Sequence, residues 1–424
     1  MPFTLHKIAL VISLAAAASL QQAQAHEPLS HVSQAPEFYD WPDDDWLYPP
    51  EAEAETIEGY LTLKATTHNG LQIARLLEPK LSQLLQSGQL TSEQINALEK
   101  FGAHLEQQPG GIGAALEQLA GSQHANLAAA TQNVTQQISQ QLLSTLRTLP
   151  NDEDGHFWVQ GLGNDGRLDD GLKYGTQGLM LGADWSLDHA WRVGVLGAKS
   201  SSRLDAKRFA ADLDSWHLGG YAVRRDGPLA LRLGAIHSSH GGKNTRNVEL
   251  LDDKESLKSR YDATSQTLFS ELGYELGSAD LSVEPFAGLG YQRYHRDAFK
   301  ERGGVTALNV GPQTQQNLSS TFGLRLATVY RFDNQMSLTP HVSTHWKHLY
   351  GNVDSQVRQS FGLSALRTDS FTINGTSLDR NSLNLQAGLE LGLSTDHSLG
   401  LAYSAEKGDN SSGHGLTGQW KMRF

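Results

Sequence analysis

Cysteine is absent from the 424 residues. Disulfides, thiolate nucleophiles and Cys-ligated metals are thereby excluded. Long apolar runs are missing as well. The longest, from about Ile8 to Leu20, falls short of the roughly 20 residues a membrane-crossing helix needs. No later stretch approaches that length, which excludes a helical membrane protein. Basic residues are outnumbered: 34 Lys and Arg against 46 Asp and Glu give a net charge of −12 with no basic run. That balance argues against nucleic-acid binding. Nucleophile elbows (Gly-x-Ser-x-Gly), Walker loops and zincin helices are also lacking.

What is present divides into four stretches. Lys7, the apolar run and the small-x-small site Ala23-Gln-Ala25 before His26 read as a signal peptide over 1–25. Residues 26–56 are acidic and Pro-rich, with interleaved aromatics, and are expected to be disordered. Asp43, Asp44 and Asp45 lack the EF-hand ligand spacing and read as a solvated linker. Residues 57–149 read as helical after a short strand at Tyr60–Lys64. Leu71, Ala74, Leu77 and Leu81 make one helical stripe, and Thr91-Ser-Glu-Gln opens a second helix through Leu98. One long Ala- and Gln-rich helix is predicted from Ala114 to Leu146.

Residues 155–424 are a run of strands. Leu383, Leu385, Ala387, Leu389, Leu391 and Leu393 share one face, and Asn384, Gln386, Gly388, Glu390 and Gly392 the other. Tight polar turns fall at 187–190, 225–228, 277–280, 332–335 and 395–397. Longer segments lie between them, the largest at 241–259, 300–316 and 351–379. About twelve strands result. Short turns on one side and long loops on the other are the rule for outer-membrane barrels. A soluble β-sandwich would not explain that rule together with the export signal. Trp185, Trp191, Tyr221, Tyr274, Tyr330 and Trp346 lie near predicted strand ends, where interfacial girdles sit.

The last strand alternates to the chain's end: Leu416, Gly418, Trp420, Met422 and Phe424 on one face, Thr417, Gln419, Lys421 and Arg423 on the other. The inward positions of the strands are small. Gly182, Gly194, Gly234, Gly288 and Gly388 recur there, with a mixed-charge lining of Arg192, Arg232, Arg325, Glu284 and Glu390. Two readings of these glycines stand: close approach of the upstream helix, or relief of barrel curvature. A barrel of this strand number has room for one helix. His341 and His345 share a strand face, but i and i+4 on a strand lie about 13 Å apart, too far for one ion. They read as a lumenal polar pair, and His237 and His240 fall on opposite faces. No catalytic, cofactor or metal residue is assigned.

Three stretches together resemble the autotransporter family of type V secretion. They are Thr67-His-Asn-Gly-Leu-Gln-Ile-Ala74 with Leu76 and Leu77, the junction Ala115–Leu127, and a barrel signature. The last comprises Phe157-Trp-Val-Gln-Gly-Leu-Gly, Gly178–Trp185 with Trp191–Gly194, and Ser215–Tyr221. The resemblance implies an up-and-down, 12-stranded antiparallel transmembrane barrel over 155–424, with the last helix of the 57–149 junction in its lumen. It implies an outer-membrane location in a Gram-negative bacterium, a monomeric barrel among lipid, and export or display of the chain's own N-terminal segment. The barrel-assembly machinery and periplasmic chaperones are implied partners, with Trp420, Met422 and Phe424 as the assembly signal. Only residues 26–66 precede the junction, too few for the roughly three coils a solenoid passenger needs. The expected passenger is therefore vestigial, with Tyr60–Lys64 a remnant of its last coil. Asn126 and Asn133 are the nearest candidates for self-cleavage, but no Asn-Asn pair exists in the helix and none is predicted. A plugged pore that exports nothing, or a surface protein binding through its long loops, are the alternatives.

Overall fold

A computed structural model describes residues 59–88, 90–149, 154–251, 253–278, 280–332, 335–362 and 369–424. The expected signal peptide (1–25) and acidic segment (26–56) lie outside the described residues. The chain forms two units, one helical and built around residues 59–120, the other beginning at Gly121 and holding the barrel.

The helical unit opens on α1, Tyr60–Lys64. This corrects the predicted strand. Thr62 and Leu61 alternate correctly for a strand, but the Glu78 carboxylate accepts the Leu61 N–H at 2.9 Å and the Thr62 hydroxyl at 2.5 Å. A carboxylate at the first turn satisfies donors that a five-residue helix would otherwise leave open. α2 (His68–Gln86) starts at Thr67, whose hydroxyl accepts from the Gly70 N–H. α3 (Ser92–Glu106) has the full capping box of Thr91 and Gln94 and runs eight residues past its predicted end. α4 spans Gly111–Ala120.

The long predicted helix is broken. Gly121 adopts φ +61°, and a Cβ there would lie 2.8 Å from Leu308 Cδ1. Only glycine combines that backbone with that contact. α5 (Gln123–Arg147) follows in the second unit. The apolar pattern read as one stripe thus serves two cores, with Leu116 and Leu119 in the first and Leu127 to Leu146 in the second.

Twelve strands follow, each antiparallel to the next. They are β1 (His156–Leu168), β2 (Lys173–Ser186), β3 (Trp191–Ala206), β4 (Phe209–Asp226), β5 (Leu229–Leu250) and β6 (Asp253–Tyr274). Then come β7 (Leu281–Arg296), β8 (Gln313–Thr328), β9 (Ser337–Tyr350), β10 (Asn381–Gly392), β11 (His397–Gly408) and β12 (Ser411–Arg423). β1 pairs with β12 from His156↔Arg423 to Leu168↔Ser411, which closes the ring. Closure leaves no unpaired edge, as a strand structure in lipid requires. The predicted band is on the outside: Leu179, Leu181, Leu268, Leu272, Leu289, Phe322, Leu324, Leu385, Leu401 and Leu416 are all exposed.

Call the end where β1 begins and β12 finishes the near end. All five of its connections are short, as predicted. The far end differs from expectation. Only 297–312 and 351–380 are long there. Residues 241–259 are not a loop, because β5 and β6 continue through them for 22 residues each. Their alternation continues, with Gly242, Asn244, Arg246, Val248 and Leu250 turned in. A strand needs only about 9–11 residues to cross a bilayer, so this ribbon extends beyond the apolar band. Short strands at Phe299–Lys300, Leu308–Val310, Gln356–Phe361 and Ser370–Asn374 form a separate four-stranded sheet. Tyr221 is a second correction: it is buried and points inward rather than joining the girdle. Trp185, Tyr274, Tyr330 and Trp346 are exposed on the outside.

Inward glycines accept rings from the next strand. The Trp158 ring lies over Gly182, its register partner, and Tyr221 over its partner Gly194. A Cβ at Gly182 would sit 2.3 Å from Trp158. Gly182→Val is therefore expected to destabilise the barrel by about 1–3 kcal/mol through overpacking. Gly161, where a Cβ meets nothing within 4 Å, should tolerate valine. Heat-induced loss of the compact gel form measures both; equal behaviour of the two variants would contradict the ring-in-notch account.

Candidate functional site: the helix inside the barrel

α5 carries no carboxylate, and its few basic groups sit at its ends, His124 and Arg147. Between them it is aliphatic side chains, hydroxyls and amides. Most of it is buried, and its partners come from strands all round the ring, which places it in the lumen. One side is apolar. Ile138, Leu142 and Leu146 pack with Trp158, Met180, Leu196, Tyr221, Val223 and Ile236 of β1–β5. The Trp158 indole donates to Tyr221 Oη at 2.9 Å, and that hydroxyl donates to Asp184 at 2.9 Å. The rings in the glycine notches are thus the surface on which the helix rests.

The other side is an amide layer. Gln132 donates to Gln315 Oε1 at 2.6 Å, and Gln292 donates to the Gln132 carbonyl at 3.2 Å. Gln136 and Gln140 donate to Glu406 at 3.0 and 3.2 Å. Gln386 donates to Ser144 at 3.1 Å, Gln419 to Thr145 at 2.9 Å and Gln160 to Gln141 at 3.1 Å. Buried polar groups left unpaired would each cost about 1–3 kcal/mol. Amides of wall and helix bond to one another, and within the layer one ion pair, Lys347 with Glu406 at 3.8 Å, meets Gln136 and Gln140.

The remaining charge is held at the two ends. At the near end Arg147 pairs with Glu271, and Arg232 bridges Glu271 at 3.1 Å and Glu284 at 2.7 Å. The Lys421 ammonium donates to the Thr148 carbonyl at 3.0 Å and pairs with Glu390 at 2.5 Å. Arg325 donates to the Arg147 carbonyl at 3.5 Å and lies 3.9 Å from Glu284. Cations on the last carbonyls suit the negative end of the helix dipole. Arg192 sits apart, on Asp184 at 2.6 Å and His156 at 2.7 Å.

The far end grips the first turn. His124 is fully buried, with Nε2 3.0 Å from Glu301 and Nδ1 2.9 Å from Gln359. Arg246 donates to both Glu301 oxygens at 2.9 and 2.6 Å and to the Thr306 carbonyl at 2.9 Å. Arg296 donates to the His124 carbonyl at 2.9 Å and Ser355 to the Ala125 carbonyl at 2.6 Å. Burial alone would raise the Glu301 pKa, but Arg246 and His124 outweigh it and hold the carboxyl at about 2.

The remaining sequence-predicted residues fall as follows. Gly234 takes the Phe269 ring and Gly388 the His341 ring, whereas the nearest atoms to Gly288 belong to Ser270, Thr321 and Glu271 rather than to a ring. His345 sits edge-on to Phe286. Asn126 is buried, its Oδ1 accepting from the Thr376 N–H at 2.7 Å, and Asn133 donates to Tyr174 at 3.5 Å. Trp420 packs edge-on to Phe157 and stacks on His397, and Met422 is half-buried on the same outer face. Phe424 exchanges backbone bonds with Gly155 at 2.9 and 3.1 Å and lays its ring over that glycine. The far-end grip was missed from sequence. Its residues are scattered over β5, β7, α5 and two loops, and the one available signal was an Arg, a Glu and a His each placed on an inward or loop position.

A carboxylate held low contributes stability at pH values above its ordinary range of about 4 and loses it as pH falls through its folded value. The grip on His124 should therefore survive from pH 7 to 4 and fail as pH approaches 2. Glu301→Gln should reproduce that failure at pH 7, weakening the grip by about 3 kcal/mol because a buried charge loses its partner. Single-channel conductance reads helix displacement. An unchanged closed fraction in the variant would contradict the grip.

The sequence matches the family described as "Autotransporter beta-domain" over residues 157–404. Two extracellular serine proteases of Serratia marcescens are each 30% identical, over 329 and 326 residues, or 73% of this chain. The chain spans 31% of the length of each. Among solved structures, the translocator domain of the autotransporter NalP from Neisseria meningitidis is similar, with a TM-score of 0.56 at 14% identity. That likeness covers 71% of this chain and 99% of the translocator domain. With a closed twelve-strand ring, a helix in its lumen and this family match over more than half its length, the chain belongs to the autotransporter β-domain family and is an outer-membrane translocator.

Proposed function

We propose that the barrel passes the chain's own N-terminal segment to the cell surface and then keeps α5 as a plug. The observation that carries this is the direction of α5. Its C-terminal end leads into β1 at the near end, while its first turn is held among far-end connections. In outer-membrane barrels the end with short turns faces the periplasm. Residues ahead of α5 then emerge outside. The amide-rich lining supports the same reading, since amides exchange one hydrogen-bond partner for another as a chain passes, and the lumenal charges are paired with one another. Gly182, Gly194, Gly234, Gly288, Gly388, Arg192, Arg232, Glu284, Arg325 and Glu390 line this lumen in our reading.

The Serratia relatives are named proteases, but the chain spans only 31% of them. We assign this chain no catalytic residue. Residues 1–25 act as the signal peptide, 26–56 as a short passenger, 57–149 as the junction and 155–424 as the anchor. The barrel-assembly machinery reads Trp420, Met422 and Phe424, and periplasmic chaperones escort the unfolded chain. The plugged-pore alternative shares the geometry and differs only in where the N-terminus ends up.

An epitope inserted after Pro28 tests the export. Labelling on intact cells, with a periplasmic marker still protected, is the expected result. Labelling only after permeabilisation would place the segment inside and favour the plugged pore. Deletion of Phe424 should reduce folded barrel in the outer membrane severalfold; wild-type levels would remove it from the assembly signal.

A further inference from the structure

The outer rims at the two ends of the apolar band differ in how their cations are paired. At the near end the outward arginines each have a carboxylate: Arg224 with Asp226 at 3.4 Å and Arg331 with Asp280 at 2.6 Å. At the far end the outward face steps from apolar to basic on six of the twelve strands, while on β4 it steps from Trp216 to Asp214. Lys199 follows Val195 on β3, His237 follows Ala235 on β5, and Arg293 follows Tyr291 on β7. Lys407 follows Tyr403 on β11, His348 follows Trp346 on β9, and His414 borders Leu416 on β12. Among the described residues, Lys199, Arg293 and Lys407 are exposed and none pairs with a carboxylate.

Their settings favour an external anion. Lys199 lies 5.2 Å above the exposed Trp216 ring, which keeps its ammonium at the edge of the apolar band. Arg293 stands between Gln266 and Gln316, its register partners on both sides, whose amides add donors. His348 lies between Trp346 and Tyr350, at 5.7 and 4.7 Å between ring centroids. Cations at a membrane surface attract anionic headgroups, and arginine and lysine pair well with phosphate. Arg224 and Arg331, already paired with carboxylates, offer no such vacancy.

We propose that this far rim is a docking surface for the phosphorylated glycolipid of the outer leaflet, with Lys199, Arg293 and Lys407 on its phosphates. The surface rests on the orientation proposed above, which the Pro28 epitope scores independently. The test uses the full chain, folded into phosphatidylcholine vesicles doped with bis-phosphorylated lipid A. Matched vesicles carry dephosphorylated lipid A, or phosphatidylglycerol at equal charge. Lipid retained on the purified protein is measured by native mass spectrometry.

The wild type is expected to retain bis-phosphorylated lipid A in preference to both matched lipids. Each cation near the surface contributes about fivefold, so the K199Q/R293Q/K407Q triple variant should lose on the order of 100-fold. The near-end variant R224Q should lose nothing, and the single variant K407Q should lose about fivefold even if the triple variant folds poorly. Retention unchanged in K407Q and the triple variant would overturn the proposal. So would equal retention of dephosphorylated lipid A, or of phosphatidylglycerol, which would reduce the rim to a general anionic surface.

Discussion

Closure of β1 onto β12 is the constraint on which the rest depends. In hydrocarbon no strand edge can be left open, so the chain must form a ring. A ring of twelve strands encloses an interior too wide for its own side chains to fill and too narrow for more than one helix. The lumen must then be occupied or hydrated. α5 solves this with a side of Ile138, Leu142 and Leu146 against the rings of β1–β5, and a side of amides against β7–β12.

The division of charge follows from the same constraint. A charged helix middle would have to be desolvated in the lumen, at a cost that pairing repays only with good geometry. α5 keeps its middle neutral and places His124 and Arg147 where loops and wall supply partners. The hydrogen bonds that side-chain amides make between helix and wall replace bonds each group would make to water, so each contributes little net stability. Such an interface fixes the helix in place by the sum of many exchanges and by its two charged ends. It is compatible with a segment that first slides through and later stays.

Strands were legible because their period is two and their inner and outer faces meet different solvents. The β10 leucines and the β12 terminus are the clearest cases. The near-end turns were legible through Asp, Gly and Asn. Other features depended on partners far away in sequence. Tyr60–Lys64 alternates like a strand, and it is Glu78, on the next helix, that takes its first-turn donors. The break at Gly121 is invisible in an Ala-rich pattern, because glycine in a helix is tolerated and what excludes a side chain there is Leu308. Residues 241–259 are polar, which suggested a loop, yet a strand beyond the membrane is polar on its outer face by necessity. Tyr221 suggested a girdle residue, and the information that turned it inward was its register opposite Gly194.

The glycine notches show how sequence and packing join. Neither curvature nor the helix backbone explains Gly182, Gly194 and Gly234; Trp158, Tyr221 and Phe269 do, and two of those three rings belong to the apolar cluster that meets α5. The central claim is that α5 stays in the lumen once the N-terminus is outside. The absence of cysteine makes a direct measurement simple. Cysteines at Gln132 and Gln315, whose side chains are 2.6 Å apart, would be joined by a short thiol crosslinker in intact cells bearing a surface-labelled N-terminus. The account predicts crosslinking in the same molecules that carry the surface label. Surface-labelled molecules without the crosslink would show an empty lumen and contradict it.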